Sequence, residues 1–405
     1  MLFSAQIGST ATALAASLLL GREMGSETVG RFFFCQSFVV IAGLFFEFGI
    51  FSAGARVLAL SGDEKSERQA LGALTLMTAA IGIAFSLFIL AASVSVDYIF
   101  NLDVRWLLIS AAPFGFFHPF QLFIEQSCQG LNQIRRLSFF QLLMTGSYLL
   151  MLLALVFAQR LTVATALSAY LIGIAIASLW TLARLRPSFQ NTSVYIKLTF
   201  KEVRGYGMNL YMARITGTAM TRLDTLVIGY YLGRAATGLD PLGLYGMAQK
   251  LSNPIVTMSR SLAITRFRAF AKLSHVPGKI NRWNTAVLLI ASIGLLIVGP
   301  YALKLLRPEF AEAASLLLPF ALYNVFAGLF QPYNMFLSSH GRGAELRNIA
   351  ALVALAGFVG LVLAIPYFGV AGAAWAGAAT MALDYLLHLY YYQKFRRTMK
   401  EESDA

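Results

Sequence analysis

Residues 284–303 read NTAVLLIASIGLLIVGPYAL, twenty consecutive positions without a charge. A helix of that length rises about 30 Å, the thickness of the hydrocarbon core of a bilayer. Comparable runs recur at 2–20, 32–59, 70–92, 106–127, 138–158, 162–183, 205–232, 242–265, 313–337, 346–366 and 370–393, which makes about twelve spans in all. The runs do not alternate polar with apolar positions, as strands of a membrane barrel do. The expected fold is therefore all-α and polytopic.

Composition agrees. Hydrophobic residues fill 58% of the 405 positions and charged residues only 13%, against roughly a quarter charged in a soluble domain. Such a chain can only be stable if most of its surface faces lipid. A net charge of +13 would suggest nucleic acid in a soluble protein, but here the positive residues lie in short loops and report topology. With the N-terminus inside, 21 of the 32 Lys and Arg fall on the inner side, 7 on the outer side and 4 within spans. Both termini are then expected in the cytoplasm. The first run has no basic leader or small-residue cleavage site, so it reads as a span rather than a signal peptide. Cys35 and Cys128 lie inside apolar runs and imply no disulfide framework.

The chain echoes itself. Leu20-Gly21-Arg22 with Val29-Gly30-Arg31-Phe32 resembles Leu232-Gly233-Arg234 with Leu242-Gly243-Leu244-Tyr245, and Gln121 with Gly130 matches Gln331 with Gly341 at nearly the same offset. This predicts two parallel six-helix repeats: a lobe over 1–183, a basic cytoplasmic linker over 184–204 and a second lobe over 205–405. Duplicated transporters of this kind bind their cargo between the halves.

Charges within spans are costly, and by default they face a bundle interior or a wet cavity. At about 100° per residue, Arg214, Thr218, Thr221 and Thr225 share one face of the seventh span, flanked by Arg222 and Asp224. The eighth span adds Lys250, Asn253, Thr257 and Arg260, with Pro254 able to kink it. Arg grips a phosphate with two parallel donors and Lys acts as a point charge. Arg214, Arg222, Lys250 and Arg260, with Thr218 and Thr221, are thus the candidates for an anionic head group. The bland alternatives are an Arg222–Asp224 pair or end residues snorkelling to an interface. Glu47 shares a helix face with Gln36, Gly43 and Gly54. A carboxylate withdrawn from water holds a proton more readily, so Glu47 and Asp224 are candidates for coupling to a proton or sodium gradient. Glu125 joins that set, although a structural hydrogen bond is the simpler reading near the end of its span. Arg56 reads as snorkelling, and His388 with Asp384 as a structural pair. The four histidines have no acidic partners at metal spacing. No phosphate-binding G-x-x-x-x-G-K-[ST] loop occurs, so no cofactor is expected.

Three stretches carry a family resemblance. Leu20-Gly21-Arg22-Glu23 through Gly30 with Phe46-Glu47-Phe48-Gly49-Ile50 is the first. Arg222-Leu223-Asp224-Thr225-Leu226-Val227-Ile228-Gly229 with Gly243-Leu244-Tyr245-Gly246-Met247-Ala248-Gln249-Lys250-Leu251 is the second, and Ile365-Pro366-Tyr367-Phe368-Gly369-Val370-Ala371-Gly372-Ala373-Ala374-Trp375-Ala376 the third. In this order they resemble oligosaccharide flippases, the polysaccharide and O-antigen transporters of the multidrug/oligosaccharidyl-lipid/polysaccharide exporter superfamily. Relatives carry extra residues before the first span, so the natural start is expected upstream. The resemblance implies a V-shaped pair of lobes and movement of undecaprenyl-pyrophosphate-linked oligosaccharide to the periplasmic leaflet of a bacterial inner membrane, for surface polysaccharide synthesis. Membrane lipids, a polymerase and glycosyltransferases are the expected partners, and no nucleic acid is. A multidrug exporter of the same superfamily is the nearest rival. A membrane polymerase or ligase is the other, but it generally needs a sizeable outer loop and none is present in the expected topology.

Overall fold

The computed structural model describes residues 2–235, 238–265, 270, 273 and 275–404, apart from the side chains of 2–4, 206, 209, 213, 216–222, 261–265 and 399–404. Every regular element among them is helical. In order, these are α1 (Leu2–Glu23), α2 (Ser26–Phe45), α3 (Ile50–Ala59), α4 (Glu64–Phe100), α5 (Arg105–Gly115), α6 (His118–Gly130), α7 (Ile134–Phe157) and α8 (Val163–Leu185). There follow α9 (Thr192–Glu202), a π turn (Val203–Gly207), α10 (Met208–Ala235), α11 (Asp240–Thr265), α12 (Gly278–Leu306), a 3₁₀ segment (Pro308–Leu316), α13 (Leu317–Leu329), α14 (Gln331–Ser339) and α15 (Gly343–Asp404). Each expected span has a helical counterpart. Seven helices among the described residues are long and apolar enough to cross a membrane, or eight if the bent pair α5–α6 is one span.

Several spans are broken where the sequence supplies the means. Pro113 and Pro119 flank the α5–α6 junction, which bends by 43°. The span expected over 32–59 divides into α2 and α3 at residues 46–49, where Phe48 (φ 47°) and Gly49 (φ 71°) are both left-handed. The last two spans are two helices that meet across a kink at Gly369, whose φ of 57° and ψ of −141° suit glycine.

The surface is inverted relative to a water-soluble protein. Along α12, Asn284, Leu288 and Ser292 are buried while Ile290, Ile293 and Ile297 are exposed. Inside, polar groups tie helices together: Asn284 Nδ2 and Ser259 Oγ both donate to the carbonyl of Gly328, at 3.1 and 2.8 Å. Apolar outside and hydrogen-bonded inside is what a lipid solvent requires.

Contacts group the chain into two units: Met1–Met24 with Arg31–Leu239, and Gly25–Gly30 with Asp240–Ala405. In the first, Phe51, Leu71, Leu74, Phe120, Phe123 and Phe140 form a continuous core of α3, α4, α6 and α7. In the second, Phe270, Val276, Tyr333, Phe336 and Tyr392 cluster, and Ser26 donates its Oγ to Asp240 and its backbone N–H to Glu309 at 2.8 Å. This grouping differs from the division expected at 184–204, because α9 and α10 belong with the N-terminal helices. The cause is close packing along the π turn and α10: Gly207 faces the backbone of Gly49, Gly229 the ring of Phe34, and Gly233 the carbonyl of Phe100, with no room for a side chain at any of the three. The segment read as a linker contains α9, which lies on α3 and α4 and buries Thr199 while leaving Lys197 and Lys201 exposed.

Candidate functional site

The interruption between α2 and α3 builds the site. Unwinding at 46–49 leaves the Phe45 carbonyl free to accept from Tyr211 Oη on α10, at 3.1 Å. It also turns Glu47 inward, where the residue is 1% exposed. Gly49 and Gly207 let α10 approach closely, and Arg214, two turns further along α10, then reaches Glu47.

The result is a three-residue network within the first unit. Arg214 Nη1 lies 3.2 Å from Glu47 Oε1. Arg214 Nη2 donates to Ser52 Oγ at 3.2 Å, and Ser52 Oγ donates to Glu47 Oε1 at 3.3 Å. Nη1 is at ion-pair distance but not aligned as a hydrogen-bond donor, and Glu47 Oε2 has no hydrogen-bond partner. The contact is therefore chiefly electrostatic and incompletely satisfied. A second carboxylate, Glu125 on α6, accepts from Gln121 Nε2 at 3.4 Å and also feels the Arg214 charge. The Arg214 charge thus acts on two carboxylates, at ion-pair distance on Glu47 and at longer range on Glu125.

The family model for polysaccharide biosynthesis proteins matches residues 1–258, which include this whole network. The chain belongs to that family. No curated protein matches the sequence. Among solved structures, this family member is similar to an inward-facing multidrug resistance MATE family transporter of the MOP superfamily (13% identity, TM-score 0.77, covering 97% of this chain and 96% of that one). It is also similar to the lipid II flippase MurJ in an inward closed conformation (13%, 0.72, 97% and 87%). A third is a MOP superfamily transporter from Pyrococcus furiosus described as having a binding pocket of reversed polarity (14%, 0.63, 98% and 94%). At such identities the likeness is one of fold.

The other sequence candidates of this family member fall into separate groups. The side chains of Arg222, Thr218 and Thr221 lie outside the described residues. Asp224 is buried, and its Oδ1 accepts from the backbone N–H and the hydroxyl of Thr225, at 2.7 and 3.2 Å. Lys250 is half-buried and Arg260 exposed, both in the second unit. Arg56 pairs with Glu202 on α9 at 3.3 Å, a specific contact where snorkelling was expected. His388 Nδ1 lies 2.9 Å from Asp384 Oδ1, with its ring stacked on Phe330. Sequence reasoning gave Arg214 and Glu47 separate duties, and their contact is the feature it missed. Nothing in a single sequence couples two residues so far apart. The one available signal was the Phe48-Gly49 pair, a combination suited to a break beside a buried acid.

Proposed function

We propose that the chain is a flippase for a polyprenyl-pyrophosphate-linked oligosaccharide, carrying it from the cytoplasmic to the periplasmic leaflet of a bacterial inner membrane by alternating access. The observation that carries this reading is Arg214, a guanidinium held inside the helix bundle by Glu47 and Ser52. Its two terminal nitrogens form the fork that matches a phosphate's oxygens. An anionic head group cannot cross hydrocarbon without such partners. Arg222, Lys250 and Arg260, with Thr218 and Thr221, complete the proposed path. Asp224, Glu47 and Glu125 are the proposed coupling groups for a proton or sodium gradient. Glycosyltransferases would supply the cargo and a polymerase would consume it, with both termini of the transporter in the cytoplasm. Membership of a polysaccharide biosynthesis family supports a sugar-bearing cargo.

The test is a proteoliposome assay with a fluorescent short-chain polyprenyl-pyrophosphate disaccharide, read by a membrane-impermeant quencher. The parent is expected to expose the lipid on both faces, and Arg214→Ala to slow this at least tenfold. Translocation by Arg214→Ala at the parental rate would remove Arg214 from the cargo path. A second reading, export of organic cations, is favoured by the excess of carboxylate over guanidinium at Glu47, Glu125 and Arg214. It predicts ethidium extrusion by the same vesicles and no lipid movement.

A further inference from the structure

We infer that Glu47 is a proton site obligatorily linked to cargo: when an anionic head group takes Arg214, Glu47 takes up a proton. The inference rests on the flippase reading and deepens it. Arg214 turns Nη1 toward Glu47 and gives Nη2 to Ser52, so its charge is what compensates the Glu47 carboxylate. A phosphate gripped by the same guanidinium offsets that charge whichever N–H groups it takes. Cargo binding therefore deprives Glu47 of its compensation.

What remains is an acid that cannot stay charged. Glu47 is almost fully buried, Oε2 has no hydrogen-bond partner, and Ser52 Oγ is the donor that reaches Oε1. An uncompensated carboxylate in such a place neutralises rather than remaining ionised. Among the described residues, no cation other than Arg214 lies at ion-pair distance from Glu47. From α10, Tyr211 faces the same break but its hydroxyl is given to the Phe45 carbonyl. From α6, Glu125 supplies no positive charge, and the His118 ring sits against Gly43, stacked on Phe85, with its Nδ1 buried and without a hydrogen-bond partner. From α4, Phe85 and Phe88 pack on Phe46. From α9, Glu202 pairs with Arg56. A hard metal ion needs several oxygen ligands, whereas the carboxylate and one hydroxyl suffice for a proton.

The experiment uses the purified full chain in detergent and geranyl pyrophosphate as the probe, with calorimetry in buffers of different ionisation enthalpy to count protons. The parent is expected to take up close to one more proton per ligand than Glu47→Gln, whose amide imitates the protonated acid. Relative to that variant, parental affinity should fall about tenfold per pH unit once Glu47 is ionised in the free protein. Ser52→Ala, which keeps both charges, should retain the uptake. A measurement without variants stands beside it: the ligand should increase carbodiimide labelling of Glu47, because the reagent attacks protonated carboxyls. Equal proton uptake by parent and Glu47→Gln, or labelling unchanged by ligand, overturns the linkage and leaves the flippase reading intact. Binding by Arg214→Ala as tight as by the parent removes Arg214 from the cargo site and overturns the linkage too, whereas a parent that moves no lipid-linked sugar in the quencher assay overturns the flippase reading itself.

Discussion

At the scale of single residues, charge and shape make separate contributions at Arg214. Lys would keep the charge but present it from a single nitrogen, without the planar fork that matches two phosphate oxygens. Arg214→Lys is therefore expected to translocate lipid-linked sugar at least tenfold more slowly than the parent, in the quencher assay. Parental rates in that variant would mean that a point charge suffices. Both Arg214 and Glu47 stood out in the sequence, because a charge in a span is conspicuous. Their partnership did not, since it depends on an unwound turn at 46–49 and on two glycines, Gly49 and Gly207, meeting from distant parts of the chain. Thr218, Thr221 and Arg222 were equally visible by helical periodicity, but periodicity assigns a face and not a partner.

At the scale of elements, hydrophobic run length located the spans but not their interruptions. The run at 32–59 is longer than a bilayer needs, and the excess is absorbed by the break between α2 and α3. At the C-terminal end the interruption is smaller: the two expected spans meet across a kink at Gly369, within Gly343–Asp404. A Cβ at Gly369 would meet nothing within 4 Å, so Gly369→Ala isolates the backbone term. It should cost about 1–3 kcal/mol, seen as a lower thermal midpoint of the detergent-solubilised protein. A midpoint equal to the parent's would show that this backbone conformation carries no strain.

At the scale of the whole molecule, composition alone disclosed a lipid-facing exterior, and the exposed isoleucines and buried Asn284 and Ser292 of α12 give it physical form. The grouping of α9 and α10 with the N-terminal helices was not legible, because it is decided by glycine contacts that leave no trace in periodicity. Orientation remains a prediction from loop charge. In Arg160→Cys the new thiol should react with an impermeant maleimide added outside intact spheroplasts, and in Lys197→Cys only after permeabilisation. The reverse pattern would turn the topology upside down.

One rod in this architecture has a wider bearing. α4 runs from Glu64 to Phe100, and its apolar stretch over 70–96 would measure about 40 Å along the axis, against roughly 30 Å of acyl chain. Such an excess is accommodated by tilt or by local thickening of the surrounding lipid. This helix therefore gives the protein a preference among bilayers of different acyl-chain length, independent of any cargo it carries.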